Sequence, residues 1–127
     1  MPLFESYAVG VVLTGHDHLY ERAWPLTEGQ RSDRGIVHIV SGGGGAELYS
    51  VGRSDWTVVA ESVNHFCRIM ISGSRLDLDV VGARGEEIDV LTIYKSDDVI
   101  DRLKTQLQAG EPRQQLESVR ELGRRVC

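Results

Sequence analysis

An apolar run from Val9 to Leu13 stops at Gly15, and two histidines follow at once in Gly15-His16-Asp17-His18-Leu19-Tyr20-Glu21-Arg22. A run with no charged or polar side chain marks a strand covered on both faces. Such a strand needs layers on either side, so a sheet-based fold of the α/β (α+β) class is expected. The ends of buried strands are where α/β folds gather ligands and metals. With an extended backbone, His16 and His18 share one side, and their Cα atoms lie roughly 6–7 Å apart. That spread suits two ions about 3.5–4 Å apart, one imidazole on each, better than one crowded ion.

The glycine run Ser41-Gly42-Gly43-Gly44-Gly45 is the second unusual feature. Glycines allow positive φ and close approach of the main chain to another group. No Lys-Ser or Lys-Thr follows, so the run is not a nucleotide phosphate loop. It is either a plain flexible turn or one wall of a cleft.

Together these segments resemble a known family. The string GHDHLYER, the segment Pro2 to Tyr7 and the strand before it, and the strand Ile36 to Val40 with its glycine turn are similar to the closing metal motif of calcineurin-like metallophosphoesterases. The likeness is greatest to the purple acid phosphatase-like branch, and it covers roughly Met1 to Lys95. It implies a two-sheet β-sandwich holding two metal ions (iron, zinc or manganese), with His16 and His18 each on one of them. A metal-bound hydroxide would attack a phosphoester substrate. Tyr20, Glu21 and Arg22 would orient the histidines from behind or, in the case of Tyr20, line the substrate cleft; a structural Glu21–Arg22 ion pair is the plain alternative. Asp17 would face away from the ions.

The family's other metal motifs, such as Asp-x-His and Gly-Asn-His, are not in this sequence. The resemblance therefore implies the C-terminal part of a phosphoesterase, inactive alone, and no catalytic residue is assigned. Two other readings stand beside it. One is a non-catalytic binding or assembly module. The other is a structural mononuclear site from His16, His18 and Cys67.

A net charge of −5 gives no general case for nucleic-acid binding. No run approaches the roughly 18 apolar residues of a membrane span, so no membrane partner is expected. Cys67 and Cys127 are too few and too far apart for a metal spacing or a disulfide framework. Residues 1–94 carry seven basic and thirteen acidic groups, and residues 95–127 carry seven and six. That shift places a domain boundary near Lys95, giving a phosphoesterase-like portion 1–95 and a helical extension 96–127.

Further strands are expected at Trp56–Ala60, His65–Ser72, Leu76–Val81 and Ile88–Tyr94, with turns at Gly73-Ser74 and Gly82–Gly85. Ala23–Leu26 reads as a short edge segment, and Thr27–Arg34 as a surface loop. His38 and His65 sit in strand patterns and read as satisfied structural histidines. Trp24 and Trp56 read as packing residues. Two amphipathic helices would follow, one from Ser96 with Val99, Ile100, Leu103 and Leu107 on one stripe, the next from Pro112 with Leu116, Val119, Leu122 and Val126. Without the family's upstream strands, Val9–Leu13 would be an open edge, and self-association is expected.

Overall fold

A computed structural model describes residues 2–96 of the chain. Residues up to Tyr94 form one compact unit. The two expected C-terminal helices, and with them the helical extension, lie outside the described residues.

The chain opens with a short helix α1, Pro2–Ser6, which turns into the first strand through Ala8 at φ +51°. Strand β1 is Val11–Thr14. It begins two residues later than the apolar run suggests, because Val9 is still tied to the helix by its N–H, which donates to the Phe4 carbonyl at 2.9 Å. Strand β2, Tyr20–Ala23, follows the histidine loop. Its formation was not expected from the sequence, where these residues read only as motif. The expected edge segment Ala23–Leu26 is divided. Ala23 closes β2, while β3 (Leu26–Thr27) pairs with β4 (Gln30–Arg31) inside the expected surface loop. Glu28 and Gly29 both take positive φ, the two-residue turn that suits a hairpin's twist.

The remaining strands are β5 (Val37–Ser41), β6 (Thr57–Glu61), β7 (His65–Ser72), β8 (Arg75–Gly82) and β9 (Glu87–Tyr94). Four of them make one sheet in the order β1-β5-β2-β6, with β1 and β5 parallel and β2 antiparallel to both its neighbours. Strands β7, β8 and β9 make an antiparallel sheet whose two turns fall where the glycines predict. Among the described residues the architecture is thus sheet-rich with little helix. Among the described residues, β1 pairs on one side only.

The core is shared between these two sheets. Tyr20, Val37 and Ile39 of the four-stranded sheet join Leu78 and Val80 of the three-stranded one in a single buried cluster. Alternation in β8 explains its half: Leu78 and Val80 face in, while Asp77 and Asp79 face out to Arg75 and Arg68. Burying a side chain of this size contributes about 1.5–3 kcal/mol.

Candidate metal-binding loop

Strand β1 ends at Thr14, whose hydroxyl donates to the Ile39 carbonyl at 3.2 Å. The chain then folds tightly rather than running on extended. His16 adopts φ +80°, a left-handed conformation rare outside glycine, and the Leu19 N–H donates back to the Asp17 carbonyl at 2.8 Å. The expected strand-like alternation across His16, Asp17 and His18 is therefore broken by the backbone at His16. His16 and Asp17 are exposed, and His18 is half-buried.

His18 is held on two sides. A carbonyl only accepts, so its Nδ1–H donates to the Glu47 carbonyl at 2.7 Å. Its ring stacks on Tyr49, with centroids 4.5 Å apart and planes at 23°. The backbone closes the arrangement, because the Tyr49 N–H donates to the His18 carbonyl at 2.9 Å. The Ser62 hydroxyl in turn donates to the Tyr49 carbonyl at 2.7 Å. Among the described residues nothing bonds Nε2, which leaves that lone pair for a ligand. Residues 47–49 carry no sequence signal for this role, since two of the contacts use only main-chain atoms.

The glycine run presses on this loop from β5. The Gly42 N–H donates to the Leu19 carbonyl at 3.0 Å, and a Cβ on Gly42 would overlap the Asp17 carbonyl. A Cβ on Gly43 would overlap the Val63 carbonyl and the His65 ring. These two glycines are needed for close backbone approach, not for flexibility.

Beneath the run lies a part-buried polar chain around the buried His65. The His65 Nδ1–H donates to the Val63 carbonyl at 2.9 Å, so Nε2 accepts from the Ser41 hydroxyl at 2.9 Å. The Cys67 thiol lies 3.3 Å from the same hydroxyl. Both His65 nitrogens are engaged, as a structural histidine requires. His38 lines a shallow groove with Glu21, Val40 and Trp56.

The second half of the motif points elsewhere. Tyr20 is wholly buried, and its hydroxyl donates to Asp89 Oδ2 at 2.7 Å. Arg22 donates to both oxygens of the same carboxylate, at 2.5 and 2.9 Å. Burial, then the Asp89 hydrogen bond, push the Tyr20 phenol well above its ordinary range. The Asp89 hydrogen bond likewise raises Arg22. Glu21 accepts from the Thr57 hydroxyl at 2.6 Å. Arg22 therefore pairs with Asp89 and not with Glu21. Asp89 was missed in the sequence, although a lone acid inside Ile88-Asp89-Val90-Leu91 is a fair signal of a buried partner.

His18 fits a metal ligand, with one nitrogen on a carbonyl and the other free. The donor set as a whole does not fit a complete centre. Among the described residues, no three His, Cys, Asp or Glu side chains group to hold an ion. The mononuclear site from His16, His18 and Cys67 is thereby ruled out for these residues: Cys67 faces Ser41 under the glycine run. A catalytic centre ordinarily needs three protein donors.

No protein-family model matches the chain. Individual proteins do. An uncharacterized protein of Mycobacterium tuberculosis is 42% identical over 35% of this chain and 12% of its own length. Purple acid phosphatase 18 of Arabidopsis thaliana is 36% identical over 48% of the chain and 15% of its own length. Acid phosphatase type 7 of Homo sapiens is 29% identical over 62% and 22%. The similarity is partial and of low identity, and it relates a region of this chain to purple acid phosphatases. The chain spans less than a quarter of the length of these curated relatives.

Proposed function

We propose that this chain is the C-terminal part of a binuclear metal-dependent phosphoesterase of the purple acid phosphatase kind, and that its two sheets are one portion of that enzyme's β-sandwich. The observation that carries the reading is the loop Gly15–Leu19. It sits past the end of a parallel strand, is braced by a glycine run, and presents a His18 whose Nε2 has no hydrogen-bond partner among the described residues. Partial similarity to two acid phosphatases supports it. His16 and His18 supply part of the donor set, and the rest comes from residues this chain lacks. Two iron, zinc or manganese ions and a phosphoester substrate belong to the complete enzyme.

The 127-residue chain alone is then inactive. With p-nitrophenyl phosphate and added zinc, iron or manganese, no turnover is expected. A rate near that of an ordinary enzyme, about 10 per second, would mean the site is complete here and the reading wrong. In the protein made with its upstream sequence, His16→Ala and His18→Ala should each lower metal content and cut activity by orders of magnitude. Retained metal in both variants would sink the assigned role.

Self-association belongs to the same proposal. Among the described residues, strand β1 has unpaired main-chain groups on one side and Leu13 is exposed, which leaves the edge open to a second chain. Light scattering against concentration should show growing mass. A monodisperse monomer at high concentration would refute it.

A further inference from the structure

Residues 47–49 lie outside the histidine motif, yet they make every polar and aromatic contact of the His18 ring among the described residues. We infer that Tyr49 and the Glu47 carbonyl are positioning elements for His18, fixing it as the neutral Nδ1–H tautomer with Nε2 presented outward. Its relevance to metal binding rests on the proposed phosphoesterase reading, but the tautomer itself does not.

An unconstrained neutral histidine side chain favours the proton on Nε2, the form that cannot donate a lone pair from that atom. The Glu47 carbonyl reverses the preference, since only Nδ1–H can bond to it. One hydrogen bond leaves the ring free to swing about its own axis, and the Tyr49 stack at 23° removes that freedom. Tyr49 is itself fixed from both sides along its main chain, by the His18 carbonyl on its N–H and by Ser62 on its C=O. Ser62 follows β6 directly, so the clamp is anchored to the four-stranded sheet. Tyr49 remains 45% exposed, as a side chain does when one ring face is spent on a neighbour. Preordering a ligand in this way lowers the entropy cost of binding, because tautomer and ring plane are set before the ligand arrives.

The test is nitrogen-15 NMR of histidine-labelled 127-residue chain without metal, at pH about 8.5, where imidazoles are neutral. Two-bond couplings separate the tautomers. His18 is expected with a protonated Nδ1 and a pyridine-like Nε2. His65, which donates from Nδ1 to Val63, supplies an internal signal of the intact fold. Tyr49→Phe keeps the stack and should leave His18 unchanged. Tyr49→Ala should move His18 towards the Nε2–H form while His65 keeps its own signature. A native His18 protonated at Nε2 would overturn the inference, and so would a His18 signal identical in Tyr49→Ala. Because no metal is present, failure here leaves the phosphoesterase reading standing. Failure of that reading would appear only in the longer protein's metal content and activity.

Discussion

Gly15–His18 and Tyr20–Arg22 are neighbours in one eight-residue string, yet the chain treats them in opposite ways. The first half is an irregular turn, exposed at Gly15, His16 and Asp17 and half-buried at His18, with a left-handed His16. The second half is strand β2, with Tyr20 at the centre of the core and Arg22 sharing the Asp89 carboxylate. A short string can thus carry two kinds of constraint: a turn in which the His18 ring keeps one nitrogen unbonded among the described residues, and side chains committed to joining two sheets. The glycine run serves both, since Gly42 meets the loop and Gly43 meets His65.

The contrast should break most visibly at Arg22. Arg22→Ala leaves a buried Asp89 with the Tyr20 hydroxyl alone, and losing one partner of a buried pair costs about 3–5 kcal/mol. Tyr20→Phe removes a single bond to that carboxylate and should cost about 1–3 kcal/mol. Urea unfolding measures both. A cost under 1 kcal/mol for Arg22→Ala would show that the pair does not tie the sheets.

Gly42→Ala tests the junction. Its Cβ has no space beside the Asp17 carbonyl, and both neighbours are main chain, which gives little. Overpacking of this kind costs about 1–3 kcal/mol. The His18 resonances should shift with it, because the turn moves as a unit. An unchanged His18 spectrum would separate the glycine run from the loop.

The smallest effect is expected at the loop itself. His16→Ala should alter the isolated chain's stability by no more than about 0.5 kcal/mol, since the side chain is exposed. Relief of its positive φ is not expected, because alanine is no better suited to that conformation. A loss above 1 kcal/mol would make His16 a structural residue and erase the contrast with Tyr20.

Much of the three-stranded sheet was legible. Strand β7 falls at His65–Ser72 as the pattern indicates, and β8 alternates Leu76, Leu78 and Val80 with acids. Antiparallel hairpins are local, so their turns and their periodicity lie together in the sequence. Strand β2 was not legible. Glu21 and Arg22 are polar, and Arg22 is drawn to a half-buried position by Asp89, 67 residues away. The hairpin β3–β4 was hidden for a different reason: two-residue strands are too short to show a period.

By itself the sequence determined the apolar runs, the turns at glycine and the presence of two imidazoles past an apolar strand. These depend on residue type and spacing, which are read along the chain. The cover expected on both faces of that strand is missing among the described residues, where the strand is half-buried at Val11 and Val12 and exposed at Leu13 and Thr14. Only the tertiary structure decided which way each motif side chain turns. His16 lost the strand-like alternation through its φ, His18 gained its tautomer from a carbonyl 29 residues on, and Tyr20 and Arg22 met Asp89. Carbonyl groups are the same at every position, and a salt bridge across two sheets has no sequence period, so such contacts exist only once the chain is folded.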